Sequence, residues 1–154
     1  MYTLTFEIPN TPHTLTAYSD GKYLTALAFD CTETDNPDAV CYDTAKQLGE
    51  YFAGRRKSFD LPYTLDGCKS AFFREVMGAT CRIPYGDTAS YADVARAAGH
   101  IGAARAVGTA LKKNPLPIII PCHRILPAGG GVGSYFGGRL NDVKEYLLRL
   151  EKII

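Results

Sequence analysis

Residues 90–113 read Ser90-Tyr91-Ala92-Asp93-Val94-Ala95-Arg96-Ala97-Ala98-Gly99-His100-Ile101-Gly102-Ala103-Ala104-Arg105-Ala106-Val107-Gly108-Thr109-Ala110-Leu111-Lys112-Lys113. Ser90 and Asp93 have the spacing of a capping box, in which side chains and first-turn amides satisfy one another. A helix is predicted from there to Ala98, and Gly99 suits the left-handed residue that follows a helix end. A second helix is predicted from Gly102 to Lys113, stopped by Pro115. Two short helices joined by a tight glycine-containing turn make a helix-turn-helix candidate. Upstream, Ser70 is expected to cap a helix over 71–79 with Phe72, Phe73, Val76 and Met77 on its apolar side, and Pro84-Tyr85-Gly86-Asp87 reads as a turn. Downstream, Asn141 is expected to cap a helix whose stripe is Val143, Leu147, Leu150 and Ile154.

The first half has a different period. Tyr2, Leu4, Phe6 and Ile8 alternate with Thr3, Thr5 and Glu7, as in a half-buried strand. Strands are also predicted over 14–18 and 23–29, with Asp20-Gly21 supplying the positive-φ positions of a tight hairpin. Residues 32–38 read as an acidic loop, 42–53 as a helix ending at Gly54, and 55–67 as a linker. The class is α+β: an N-terminal antiparallel-sheet unit, 1–67, and a helix-turn-helix unit, 68–154.

The chain has 154 residues, 46% of them hydrophobic, and a formal net charge of +1. That length buries a core without disulfides. Tyr2-Thr3-Leu4-Thr5-Phe6-Glu7-Ile8 lacks the basic and apolar regions of a signal peptide, and no stretch nears the length of a membrane helix. A soluble, cytoplasmic protein with no membrane partner is expected. Cys31, Cys41, Cys68, Cys81 and Cys122 are odd in number and contain no C-x-x-C pair, so reduced thiols are expected. A zinc site from the first four with His13 lacks paired ligand spacing; small, mostly buried apolar roles are the plainer reading, and no metal is expected.

Charge is unevenly placed. Residues 1–93 hold 8 Lys/Arg against 13 Asp/Glu, whereas 94–141 hold Arg96, Arg105, Lys112, Lys113, Arg124 and Arg139 and no acid. A cationic block beside an acidic one reads as an anion-binding face, with clustered solvated charge as the alternative. Within that block, 102–108 is small throughout except for Arg105. A helix that reads base edges presents Asn, Gln, Arg or Lys. A smooth helix with one long basic side chain instead suits a narrow groove entered for shape, or a tightly packed core helix; the residues leave both open.

The same block contains Ile118-Ile119-Ile120-Pro121-Cys122-His123-Arg124-Ile125, a cysteine at the end of a strand-like aliphatic run. Cationic neighbours lower a cysteine's pKa toward the reactive thiolate. On an extended chain Cys122 and His123 would point to opposite sides, so a dyad needs a turn or a bridging water. A structural buried cysteine is the alternative. The glycine-rich 129–138 that follows can approach a flat ligand, with Tyr135 to stack on it, or can be a flexible hairpin; it lacks the ending of a phosphate loop.

Pro121-Cys122-His123-Arg124-Ile125 resembles the active-site signature of the O6-alkylguanine-DNA alkyltransferases, also called methylated-DNA–protein-cysteine methyltransferases. The resemblance covers nearly the whole chain: Gln47, Tyr51, Phe52 and Gly54; Ile83-Pro84-Tyr85-Gly86-Asp87-Thr88 with Ser90-Tyr91; Ala103 to Gly108; Asn114-Pro115; Tyr135 with Gly137-Gly138; and Lys144, Leu147, Leu148 and Glu151. It implies that Cys122 accepts the alkyl group, that His123 deprotonates it through a water, and that Glu151 orients His123. It implies further that Asn114 supports the cysteine loop and that Tyr91 helps turn out the nucleotide and donates to the leaving guanine. Arg105 would fill the vacated stack, with Ala103, Ala104, Ala106 and Gly108 along the DNA. Tyr135, Ile125 and Phe136 would form the base pocket. The implied C-terminal unit is winged-helix-like. The implied partner is duplex DNA carrying O6-alkylguanine, bound by a monomer with no cofactor, nucleoid-associated in a prokaryote.

This chain departs from the family pattern in Cys68 to Met77, which lacks the usual tryptophan, and in Gly138 to Lys144, which is longer. Two other classes compete. A non-catalytic binder of alkylated DNA has its cysteine position replaced, unlike Cys122. A Cys122/His123 hydrolase needs an oxyanion hole that the sequence does not display.

Overall fold

The computed structural model describes residues 1–67 and 70–154. Its first unit, Met1–Gly67, is built on three antiparallel strands in the order β1-β2-β3: β1 (Tyr2–Glu7), β2 (Thr14–Ser19) and β3 (Leu24–Phe29). Register aligns Phe6, Leu15 and Phe29 in one cross-strand row and Leu4, Ala17 and Leu27 in the next. Such rows are the unit of sheet stabilisation. Helix α1 (Ala39–Phe52) packs on all three strands and buries Cys41, Leu48 and Tyr51 completely. It starts earlier than the apolar spacing predicts because Asp38 caps it, accepting Cys41 N at 2.9 Å.

Two readings of this unit change. Only Gly21 of the Asp20-Gly21 pair has positive φ (+99). Asp20 instead accepts the amides of Lys22 and Tyr23 with its carboxylate, at 2.9 and 2.7 Å, which widens the turn. Nor is 55–67 a free linker. Gln47 grips the backbone of Asp60 with both ends of its amide at 2.9 Å, and Tyr63 bridges to Leu24 at the sheet edge.

The second unit, Cys68–Ile154, gathers α2 (Ala71–Cys81), α3 (Tyr91–Ala97) and α4 (Ala104–Leu111) against one another, with α5 (Asn141–Leu150) behind the cysteine turn. Ser70 caps α2, but the buried side of α2 is Val76, Met77, Ala79 and Thr80. Phe72 and Phe73 are half-buried, and Phe72 meets the His100 ring edge-on at 4.9 Å. The capping box closes α3, and Gly99 follows its end at φ +85. Asn141 does not cap α5: it is the first helical residue, and its Oδ1 accepts Tyr135 N at 2.8 Å. The buried stripe of α5 is Val143, Lys144, Leu147 and Leu148, while Ile154 is exposed.

A short parallel pair, β4 (Ala89–Ser90) with β5 (Ile125–Leu126), joins the start of α3 to the segment following Cys122. It sets Tyr91 beside the cysteine. Replacing Ser90 by Ala removes the acceptor for Asp93 N, at 3.0 Å. Ser90→Ala is expected to lower stability by about 1 kcal/mol, read as a smaller midpoint at unchanged slope in urea denaturation.

Candidate active site

The run expected as a strand before the cysteine is a folded loop. Ile118 sits at φ +74, where a β-branched residue is strained. Ile120 N donates to Leu116 O, and Cys122 N donates to Ile120 O across Pro121 (φ −81, ψ 61), each at 2.8 Å. The latter is an inverse γ-turn, for which proline supplies the φ. Asn114 holds the loop from inside. Its Oδ1 accepts Leu116 N at 3.0 Å, and its Nδ2 donates to Ile120 O at 2.9 Å and to Cys122 Sγ at 3.2 Å.

Cys122, His123 and Arg124 therefore form a 3₁₀ turn. With three residues per turn their side chains fan out instead of alternating. His123 and Arg124 both reach Glu151, just past the end of α5. Glu151 Oε2 accepts His123 Nε2 at 2.7 Å and Arg124 Nη2 at 3.1 Å; Oε1 accepts Arg124 Nε at 2.8 Å and Gly86 N at 3.0 Å. Arg124 Nη1 donates to Ile83 O at 2.7 Å. The side chains of His123 and Glu151 are wholly buried and that of Arg124 is 7% exposed.

This arrangement fixes a tautomer. A carboxylate in a two-point contact with a guanidinium remains an acceptor. The shared proton then resides on His123 Nε2, leaving the lone pair on Nδ1. Nδ1 makes no hydrogen bond within the protein among the described residues. Burial pushes the His123 pKa below its ordinary value; Glu151 opposes this, while Arg124 and Lys144 reinforce it. Because Arg124 already balances Glu151, burial and local charge together favour the neutral imidazole.

Cys122 differs from expectation. Burial pushes its thiol above the ordinary value, and donation from Asn114, the charge of Lys144 and the Tyr135 hydroxyl only oppose that shift. His123 and Arg124, expected to lower it by charge, are respectively held neutral and compensated by Glu151. The cation that does act is Lys144, a buried residue on the apolar stripe of α5 whose Nζ donates to Ile125 O at 2.9 Å. Burial pushes the Lys144 pKa down and Cys122 pushes it up. Sequence reasoning passed over Lys144 as a site residue; a lysine between Val143 and Leu147 on the buried face was the available signal.

Cys122 opens on a cleft of about 280 Å³ lined also by Tyr91, Arg105, Gly108, Thr109, Leu111, Lys112, Ser134, Tyr135, Phe136, Gly137 and Lys144. The cleft thus unites Cys122, Tyr91, Arg105, Gly108, Tyr135 and Phe136 among the residues singled out above. Burial raises the Tyr91 hydroxyl pKa, as does Cys122. Ile125 is not in the cleft: it is wholly buried in β5, with its carbonyl taken by Lys144. On α4, Val107, Ala110 and Leu111 face inward while Arg105 and Ala106 are exposed, so the small-residue face is at the surface. Ala106 lines a separate groove with Phe72, Phe73 and Lys113, and Ala103 and Ala104 are half-buried.

Cys31, Cys41 and Cys122 carry free thiols; Cys81 is exposed and Cys31 half-buried, so fewer are core residues than expected, and Cys68 lies outside the described residues. Among the described residues no group of three or more His, Cys, Asp or Glu side chains is arranged to hold a metal ion.

A helix-turn-helix unit with a buried cysteine on a cleft beside its second helix, backed by the His123–Glu151–Arg124 cluster, presents that thiol to whatever the helix brings to it. The family described as 6-O-methylguanine DNA methyltransferase, DNA binding domain, matches residues 71–153. A methylated-DNA–protein-cysteine methyltransferase of Methanosarcina acetivorans is 36% identical over 98% of this chain and 98% of its own. The constitutive one of Bacillus subtilis is 45% identical over 72% of this chain and 66% of its own. The crystal structure of Mycobacterium tuberculosis OGT in complex with DNA has a TM-score of 0.85 at 37% identity, covering 99% of this chain and 93% of that one. The chain belongs to the 6-O-methylguanine-DNA methyltransferase family.

Removing the charge of Glu151 while keeping its shape leaves the buried Arg124 guanidinium without a counter-charge. Glu151→Gln is expected to destabilise the protein by about 3–5 kcal/mol in urea denaturation. A loss of under about 1 kcal/mol, the range of an exposed pair, would show that the ion pair does not hold the site together.

Proposed function

We propose that the protein repairs DNA by transferring the alkyl group of O6-alkylguanine to Cys122, once per molecule. His123 Nδ1 takes the thiol proton, directly or through one water. The thiolate attacks the alkyl carbon; the S–C bond forms as the C–O6 bond breaks, and the electron pair leaves on guanine. Guanine takes a proton from the Tyr91 hydroxyl, and the proton held on His123 returns to Tyr91 through solvent, so the net transfer is of the thiol proton to guanine. The thioether product has no leaving group for a second cycle, and the balance needs no cofactor. The observation that carries this reading is Cys122 on the wall of the cleft, held by Asn114, with the next residue His123 engaged by Glu151 at Nε2 and left without a hydrogen-bond partner at Nδ1 among the described residues. A non-catalytic binder has no use for such a relay.

Chemistry at O6 in a duplex requires the nucleotide to leave the stack, at a cost of a few kcal/mol. Arg105 is the one long side chain on the exposed small face of α4 and also borders the cleft. It fills the gap while Tyr91 and Tyr135 receive the base. The partner is duplex DNA carrying O6-alkylguanine, and the protein acts as a cytoplasmic monomer. No helix among the described residues is long and apolar enough to cross a membrane.

Exposure to excess O6-methylguanine duplex is expected to add one methylene to the peptide containing Cys122, about one equivalent per protein, in a peptide mass map. Continued turnover, or modification confined to other cysteines, contradicts the proposal. Arg105→Ala is expected to slow repair of duplex DNA by roughly tenfold or more, since about 1.4 kcal/mol of lost gap-filling is already a factor of ten. Its reaction with free O6-benzylguanine, which needs no flipping, is expected to change little. Equal losses on both substrates would assign Arg105 to the fold.

A further inference from the structure

Phe136 is the one aromatic residue at positive φ (+49) among the described residues. That region favours glycine, and Gly133, Gly137 and Gly138 around it occupy it at +71, +73 and +91. The backbone there is pinned at both ends. Asn141 Oδ1 accepts Tyr135 N at 2.8 Å, and Tyr135 O accepts both Gly138 N and Leu140 N at 3.2 Å. The loop's own hydrogen bonds thus impose the conformation, and a bulky ring persists where glycine would fit without strain. Strain held in this way beside a nucleophile points to a role for the side chain. The ring packs edge-to-face on Tyr135, with centroids 4.7 Å apart and planes at 69°. The two rings form an aromatic corner in the wall of the cleft that holds Cys122. At about 280 Å³ that cleft lies just under the roughly 300–1,000 Å³ of pockets for drug-sized ligands.

We infer that Phe136 sets the size of the alkyl group this cleft admits, confining it to methyl and other short chains; the inference rests on Cys122 being the alkyl acceptor. The reacting carbon must lie between O6 and Sγ. A methyl group needs nothing beyond that point. A benzyl group must place a whole ring against the cleft wall, in space that the Phe136 ring helps to close. Removing the ring opens that wall without touching the cysteine, its base or the residues that pin the loop.

The test compares wild type, Phe136→Gly and Phe136→Ala on single-stranded oligonucleotides carrying O6-methylguanine or O6-benzylguanine, which separates pocket size from duplex flipping. The readout is the ratio of the benzyl to the methyl second-order rate constant. Both variants are expected to raise that ratio by about tenfold or more, the scale on which a pocket discriminates steric bulk. Phe136→Gly relieves the φ strain and Phe136→Ala keeps it, so a rise in both assigns the effect to the ring. An unchanged ratio, including an equal loss on both substrates, overturns the inference. So does a falling ratio, which would mean that the ring attracts the benzyl group. If wild type fails to alkylate Cys122 with either oligonucleotide, the underlying reading fails instead.

Discussion

Glu151 and Arg124 meet in the interior through two hydrogen bonds, and the rest of the site depends on that contact. Each charge would be costly to bury alone. Together, with Gly86 N on the carboxylate and Ile83 O on the guanidinium, they are satisfied by groups from three separate segments. The pair ties the end of α5 to the 83–86 turn and to the cysteine turn. It also leaves Glu151 one task toward His123, which is to accept the hydrogen bond from Nε2–H. On the proposed reading, the ion pair sets the direction of proton flow from Cys122 while touching neither the thiol nor the substrate.

Around that centre, backbone geometry aims the remaining groups. Asn114 stabilises a loop that contains a strained isoleucine and delivers Cys122 at the start of a 3₁₀ turn. The β4–β5 pair carries the first residue of α3, Tyr91, to the cleft. Helix α4 contributes Arg105 and the glycine at 108, where a Cβ would lie 3.8 Å from the Tyr91 ring, an ordinary contact. Gly108 therefore keeps the helix smooth without being demanded by packing. The loop after the cysteine adds Tyr135 and Phe136, fixed by Asn141 from the first turn of α5.

Much of this was legible in the sequence because it is local. The capping box at Ser90 and the glycine after α3 are short-range preferences that tertiary structure did not override, whereas β1 forms as a strand but with Thr3 buried and Tyr2 exposed, against the alternation of its side chains. The α+β class and the helix-turn-helix follow from them. The errors have a common cause. Ile118 to Ile120 has the composition of a strand, yet Pro121 and the side chain of Asn114 bend it into a turn, which a β-propensity reading cannot register. Asn141 looks like a cap because of its position, but its oxygen is taken by an amide six residues back. Ile125 was placed in the pocket on the resemblance, whereas the chain leaving the 3₁₀ turn carries it into the core. The cationic setting of Cys122 was inferred from adjacency. Only the fold shows Arg124 compensated by a glutamate 27 residues away and Lys144 buried in its place.

The central claim is that this ion pair holds His123 as a neutral imidazole with its proton on Nε2 and its lone pair on Nδ1. Nitrogen-15 NMR of the histidine rings in the intact protein near neutral pH reads that state directly, with His123→Gln assigning the signal. The account predicts a neutral ring protonated at Nε2. An imidazolium, or a ring protonated at Nδ1, would contradict it.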